Sequence, residues 1–355
     1  ALKPADLPRP ELKTPEQYRL IGTRRGNWDA PQIVTGAAVY GLDTRLPGMA
    51  YATIARPPVV GASLASYDDK KARAVEGVRD VVATDSGVAV VADNSWAAIQ
   101  GRKALQIVWD EGANAAWTTA SIHDDLLDGA PQMGSAKPGV VEGSYDLPYE
   151  AQVPMEPMNC TADVKEDGCD VWAPTQDPQN VQMQVMLATG LPRDSVRVHV
   201  PLIGGGFGRR LEADYAVEAA LLSQAIGDPV QVLWTRDDDI RHDFYHPMSY
   251  HYVSLKTGEP FKKMFSRTRS ATAYLPTGAW RSVDNFPAAY ARECFVDEYA
   301  AATGVDPYDL RLQLVDEKVY AADARAVLQL AAEKSGWGKP LPEGWGRGMA
   351  FHSTF

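Results

Sequence analysis

The sequence is short of cysteine and has no excess of basic charge. Three cysteines in 355 residues cannot build a disulfide framework. None lies in a C-x-x-C, so nothing supports a cysteine-held zinc or iron–sulfur cluster within the chain. Cys160 and Cys169 flank the polar turn Lys165-Glu-Asp-Gly168. As a hairpin, that turn would set Val164 opposite Cys169, leaving the thiols out of register as two strand residues rather than a bridge. Acidic residues outnumber basic ones 46 to 35, for a net charge of −11. That argues against a nucleic-acid footprint and against attraction to an anionic membrane surface. No apolar run reaches the ~18 residues a membrane-spanning helix needs. The first seventeen residues show no charged n-region followed by an apolar h-region, so no signal peptide is visible. A trimmed chain would look the same, which leaves the compartment open.

What is present is ordinary for a folded protein: 45% apolar and 23% charged residues. At about 150 residues per domain the length predicts two or three domains. Residues 1–17, rich in Pro and charge, read as an arm. Residues 18–130 read as a compact α+β unit. Strands are predicted at Gly36–Gly41, Met49–Ala55, Val78–Ala83, Gly87–Ala92 and Leu105–Asp110, and a helix at Ser95–Lys103 with Trp96 and Ile99 on one face. A short helix is expected at Ile122–Leu127, and 131–144 reads as a linker. The second unit, 145–355, is predicted to hold strands at Cys160–Val164, Asp170–Ala173, Ser195–Pro201 and Pro229–Trp234. Its helices are expected at Pro178–Leu187, Leu211–Ile226, Ala288–Thr303 and Ala324–Lys334. Gly304 would close one of these, and Asp306-Pro307 would open the next.

Four segments carry chemistry. Leu202-Ile-Gly-Gly-Gly-Phe-Gly-Arg-Arg210 lies between a strand and a helix. Its glycines can bare backbone N–H groups, the helix start favours anions, and Arg209 and Arg210 add charge. It suits a phosphate, a pyrophosphate or a metal-oxo group, and equally a tight turn with no ligand. It is neither G-x-G-x-x-G nor a P-loop. In Pro276-Thr-Gly-Ala-Trp-Arg-Ser-Val283, Arg281 can clamp a carboxylate bidentately or lie along a packed Trp280. Glu156, between prolines in Val153-Pro-Met-Glu-Pro-Met-Asn-Cys160, suits a base of raised pKa, or more simply an acceptor of backbone N–H bonds in a bend. His242, His246 and His251 could hold a metal, but without HExxH a hydrogen-bonded polar loop is the simpler reading. No G-x-S-x-G occurs.

Taken in order, these segments resemble the molybdenum-binding large subunit of the xanthine dehydrogenase/aldehyde oxidase family, most closely its isoquinoline 1-oxidoreductase β-subunit and periplasmic aldehyde dehydrogenase type. Ile33-Val-Thr-Gly36, Tyr40-Gly-Leu-Asp43, Leu46-Pro-Gly-Met49 and Ala55-Arg-Pro-Pro58 resemble the opening of the family's a/b hammerhead domain. Val88–Ala97 and Val108-Trp-Asp-Glu-Gly112 resemble its end. Pro154–Ala162, Trp172-Ala-Pro-Thr-Gln176, Gly204-Gly-Gly-Phe-Gly208, Trp234-Thr-Arg236, Gly278-Ala-Trp-Arg281 and Ala332–Gly338 resemble the first part of the molybdopterin-binding domain.

The resemblance implies an α+β chain, a hammerhead domain followed by an incomplete molybdopterin-binding domain. It implies molybdenum held by molybdopterin cytosine dinucleotide, without a direct protein ligand. It implies oxidation of an aldehyde, or hydroxylation of an N-heteroaromatic, with oxygen from water. Electrons would leave through a small subunit carrying two [2Fe–2S] clusters, with a cytochrome c subunit as a second candidate partner. In this reading Gly204, Gly205, Gly206, Phe207, Gly208 and Arg209 meet the cofactor, Arg281 lies at the substrate pocket, and Gln152 faces the molybdenum. The periplasm follows by resemblance only, and the cytoplasm stays open.

Two departures stand out. Family chains are about twice as long, with a catalytic Glu in a Gly-Val-Gly-Glu segment that has no counterpart here. The chain between Lys256 and Gly278 is also shorter than expected. Both suggest a half-subunit whose remainder is a partner, or a fragment with an internal deletion. Two other functions remain as alternatives. One is a non-catalytic fragment or assembly partner. The other is a flavin or nicotinamide enzyme, which wants an acidic residue ~20 residues past the first glycine, where Gln224 stands.

Overall fold

The computed structural model describes residues 10–134, 136–315 and 321–354. In chain order its regular elements are α1 (Ala30–Val34), β1 (Ala50–Ala55), β2 (Ser63–Asp68), α2 (Lys70–Arg73), β3 (Val78–Thr84), β4 (Gly87–Ala92), α3 (Ser95–Ala104), β5 (Gln106–Asp110) and α4 (Thr119–Leu127). There follow β6 (Val140–Leu147), β7 (Asn159–Val164), β8 (Cys169–Trp172), α5 (Pro178–Thr189), β9 (Val196–His199), α6 (Asp214–Ile226), β10 (Val230–Leu233) and α7 (Arg236–Arg241). The last are β11 (Ser249–Lys256), β12 (Phe265–Ser270), α8 (Asn285–Thr303), α9 (Pro307–Val315) and α10 (Ala321–Ser335). Helix and sheet are mixed, as an α+β chain requires.

The main sheet has seven strands in the order β3-β4-β1-β10-β7-β8-β9. Three come from before residue 131 and four from after 144. The joint is β1 against β10, a parallel pairing of Ala50 with Val230 and Ala52 with Val232. Small side chains let this centre be buried on both faces. In β4, Ala89 and Val91 enter the principal core, whereas Val88 and Val90 enter a smaller cluster with Ala72 and Val81. α5 and α6 pack on the principal core through Val181, Val185, Tyr215, Ala219 and Leu222. Their ends follow the expected chemistry: the Asp177 carboxylate accepts from Asn180 N–H ahead of Pro178, and Gly190 and Gly227 close the two helices in the left-handed region.

A second sheet, β12-β11-β6, packs against α8 through Tyr145, Val253, Leu255, Phe295 and Tyr299. The stretch 256–265, where the chain is short, is closed as the β11–β12 turn. β2 and β5 form a separate two-stranded ribbon.

Several local expectations change. Gly36–Gly41 is not a strand and makes only an isolated bridge at its end, Tyr40 to Leu202. The stretch 131–144 is part strand, because β6 begins at Val140. Leu211 sits in a 3₁₀ turn with Arg209 and Arg210, and the α-helix starts at Asp214. α3 buries Ala97, Ala98 and Gly101, leaving Trp96 on the exposed side at 69%. The hairpin register does match: Val164 pairs with Cys169, and Cys160 and Cys169 are buried free thiols. No helix among the described residues is long and apolar enough to cross a membrane.

Ile54, fully buried in β1 opposite Ala89 of β4, belongs to the principal core that both parts of the main sheet share. Truncating it leaves a cavity that rigid neighbours cannot close, so Ile54→Ala should cost about 2–5 kcal/mol, read as a lowered urea midpoint.

Candidate functional site

Arg210 builds the glycine loop from beneath. Its side chain is fully buried and donates to Gly205 O at 2.8 Å, Pro174 O at 2.9 Å and Glu156 O at 2.9 Å. It also meets the Glu156 carboxylate at 3.2 Å. Glu156 in turn accepts from Gly204 N–H at 2.8 Å, Leu42 N–H at 3.1 Å and Asn159 Nδ2 at 3.0 Å. Glu156 is therefore a backbone acceptor in a bend, the simpler of the two sequence readings. Breaking such a buried pair by removing one partner costs about 3–5 kcal/mol, because it strands a charge.

Arg209 also turns inward. Its two Nη atoms meet both Asp214 oxygens at 2.9 and 2.8 Å, and its Nε lies 3.0 Å from Asp243 Oδ1. Trp234 and Phe244 lie under the guanidinium. Neither arginine presents its charge on the outer side of the loop, contrary to the expectation that their side chains would meet an anion. What remains for a ligand is backbone. Gly204 N–H and Gly208 N–H are taken by Glu156 and Gln176. Those of Gly205, Gly206 and Phe207 have no acceptor among the described residues. Three successive N–H groups are thus left without a protein acceptor, and such groups are what a backbone anion site is made from.

Close approach explains the last glycine. A Cβ on Gly208 would lie 1.7 Å from Ala279 O, and its φ of +104° disfavours any side chain. This contact brings 278–281 onto the loop. Gln152 completes the convergence. It is 6% exposed, and its Nε2 donates to Phe244 O at 2.9 Å and Ala279 O at 3.1 Å. With both amide hydrogens used, the buried Gln152 Oε1 has no partner. An unpaired buried acceptor costs about 1–3 kcal/mol, so its ligand is to be sought outside the chain.

Arg281 follows on the same segment. It is exposed, makes no ion pair among the described residues, and lines a cavity of about 520 Å³ with Trp280, Phe286, Tyr290, Cys294 and Phe351. Trp280 Nε1 ties the segment to Ala151 O at 3.3 Å.

Strain marks the same places. Four non-glycine residues among those described have positive φ: Val153 (44°), Phe207 (57°), Ser282 (72°) and Val283 (49°). One adjoins Gln152, one lies within the glycine loop, and two follow Arg281. For a branched residue such as Val this conformation costs about 1–3 kcal/mol and persists only where the surroundings enforce it.

The histidines do not converge. His251 bonds Thr268 and Ser249, and the buried His246 stands edge-on to Trp280 and Phe286. No group of His, Cys, Asp and Glu among the described residues could hold a metal ion. Sequence reasoning missed Asp243, which stood unremarked in the polar stretch after Trp234. It is 2% exposed, and burial pushes its carboxyl up to about 6 against the pull of Arg209.

This geometry belongs beside known proteins. Residues 118–258 match the model of the molybdopterin cofactor-binding domain. The chain is similar to molybdopterin-binding large subunits. It is 29% identical to the isoquinoline 1-oxidoreductase subunit beta of Brevundimonas diminuta, over 96% of this chain and 52% of that one. It is 28% identical to the membrane-bound aldehyde dehydrogenase [pyrroloquinoline-quinone] of Gluconacetobacter polyoxogenes, over 97% of this chain and 47% of that one. The quinoline 2-oxidoreductase structure from Pseudomonas putida 86 superposes with a TM-score of 0.72 at 18% identity, covering 90% of this chain and 55% of that one. The chain thus spans about half the length of the curated relatives it matches. The first alignment runs over 406 positions, so about fifty or more have no counterpart in these 355 residues.

Two outcomes are expected. Gly208→Ala should separate the loop from Ala279, costing about 3 kcal/mol or more by thermal unfolding, since the clash is with backbone and the φ is positive. Burial, and then Arg56, hold His242 down at about 4 from an ordinary 6.5. The unfolded chain therefore takes up its proton first, and stability from this group is lost as pH falls from 6.5 toward 4. His242→Gln should flatten the urea midpoint across that window, and an unchanged slope would contradict the assignment.

Proposed function

We propose that this chain is the cofactor-facing part of a molybdenum hydroxylase, oxidising an aldehyde to a carboxylic acid or hydroxylating an N-heteroaromatic with oxygen from water. One observation carries the reading. Three segments distant in sequence, Gln152–Val153, Gly204–Gly208 and Gly278–Arg281, meet at one place and leave unpaired groups there: three backbone N–H donors and the buried Gln152 Oε1.

The donor set fits a pyranopterin molybdenum cofactor, in the cytosine dinucleotide form by resemblance. The bare N–H groups suit an anionic ligand that brings its own metal coordination and needs no protein ligand, and the Gln152 Oε1 acceptor suits an N–H or O–H donor of the same ligand. When bound, the group supplies two-electron oxidation at an electron-poor carbon. This chain's residues do the rest. Gly205, Gly206 and Phe207 donate N–H bonds to the group's anionic atoms. Gln152, its amide hydrogens fixed on Phe244 O and Ala279 O, offers one oriented acceptor. The free Arg281 guanidinium orients a substrate carboxylate or ring nitrogen in the adjoining cavity, and Trp280 and Phe286 give that substrate an apolar wall.

The first relatives support an N-heteroaromatic or an aldehyde without choosing between them. Electron transfer to a [2Fe–2S] subunit, the hammerhead division over 18–130, a cytochrome c partner, completion of the large subunit by a further half and a periplasmic location belong to the same proposal.

The test is turnover by the assembled protein of an aldehyde and, in ¹⁸O-labelled water, of a quinoline-type N-heteroaromatic. One labelled oxygen in the product is expected. Unlabelled hydroxylated product, or no product from either substrate with molybdenum-loaded protein, would contradict the reading, and the second result would favour a non-catalytic assembly role. Arg281→Ala should raise KM about tenfold while changing kcat less, since it removes binding common to ground and transition states.

A further inference from the structure

Gln152 needs a fixed orientation for its unpaired oxygen to serve a ligand, and its own segment supplies none: Val153 beside it is strained and Met155 is 89% exposed. Trp280 and Arg236 hold the backbone on either side, and the hold on Gln152 N–H itself comes from the turn after α7. Asp243 Oδ2 accepts the Gln152 backbone N–H at 2.8 Å, and Asp243 Oδ1 accepts Phe244 N–H at 2.8 Å. Phe244 O, on a peptide whose Tyr245 N–H is held by Pro276 O at 3.0 Å, receives the Gln152 side-chain amide at 2.9 Å. Asp243 thus holds Gln152 directly at the backbone and braces the N–H of Phe244, the residue whose carbonyl receives the Gln152 side chain. The same carboxylate lies 3.0 Å from Arg209 Nε, whose Nη atoms are already spent on Asp214. One buried carboxylate therefore joins three segments: the strained bend at 152–153, the end of the glycine loop and the turn at 243–244.

We propose that Asp243 is a positioning residue, which registers Gln152 against the glycine loop so that Gln152 Oε1 is the one atom of that amide left for a ligand. This rests on the reading of Gln152 as the group that faces the cofactor. The carboxylate geometry is specific to the role. An amide at 243 could accept one of the two backbone N–H bonds but would turn its NH₂ toward the other donor or toward Arg209. Alanine would leave both N–H groups without an acceptor and would remove the carboxylate that faces Arg209 Nε.

The test compares wild type, Asp243→Asn, Gln152→Ala and the double variant in the assembled protein, with two readouts. Amide hydrogen exchange reads position without catalysis. In Asp243→Asn the peptide containing residues 150–153 should exchange about tenfold faster, while β7 and α6 keep their protection. Turnover of the N-heteroaromatic reads consequence. Asp243→Asn should lower kcat about tenfold or more with KM changed less than about threefold, and should add less than about threefold once Gln152 is Ala, because residues acting through one another are not additive. Multiplicative losses in the double variant would overturn the proposal, as would equal loss of protection in β7 and α6, which marks a general structural role. Wild-type protein that binds no molybdenum and turns nothing over would overturn the functional reading first, and this inference with it. Turnover by wild type with additive losses would overturn the Asp243 role alone.

Discussion

The candidate site depends on one buried guanidinium. Arg210 gathers the ends of β7 and β8 and the glycine loop by donating to Glu156, Pro174 and Gly205. Its partner Glu156 extends the same knot to Leu42 and to Gly204 N–H. A charge pair so deep is a poor source of net stability, since desolvation offsets most of the attraction. What it provides is registry: backbone carbonyls from separate segments must stand where the planar fork of an arginine can reach them. With the loop held from inside, its outer N–H groups need no protein partner.

The strained residues fit that picture. A loop that satisfied all its own hydrogen bonds would be more stable and would have nothing to offer a ligand. Here Val153, Phe207, Ser282 and Val283 adopt the left-handed region around the convergence point, and Gln152 Oε1 is left alone. The surroundings that enforce this are rigid: the seven-stranded sheet, α6 beneath the loop, and the paired carboxylates Asp214 and Asp243 beneath Arg209. The cost is of order 1–3 kcal/mol per residue, which a core of this size can absorb.

Much of this was legible in the sequence, and the rest was not for definite reasons. Val-rich runs such as Gly87–Ala92 and capped helices such as Pro178–Thr189 carry their signals locally, and they form where expected. The glycine loop was legible because three consecutive glycines are costly unless backbone must come close. Gly36–Gly41 misled because small apolar residues suit a strand and an irregular segment equally, and only partner strands decide. β11 and β12 carried no clear alternation, being polar or aromatic at many positions. Arg209 and Arg210 were legible as residues but not in direction: nothing local says whether a guanidinium turns out to an anion or in to Asp214 and Glu156. Asp243 was hidden for the same reason. Its meaning comes from Gln152 and Arg209, ninety-one and thirty-four positions away in sequence.

We propose that the unpaired groups at Gln152 and Gly205–Phe207 face a molybdenum cofactor, with Arg281 beside them at the substrate cavity. Metal and nucleotide analysis of the purified protein, together with its intact mass, tests it most directly. The account predicts stoichiometric molybdenum and a released cytosine nucleotide, both lost in Gly208→Ala protein that remains folded. Folded wild-type protein assembled with its partners and lacking both would contradict it.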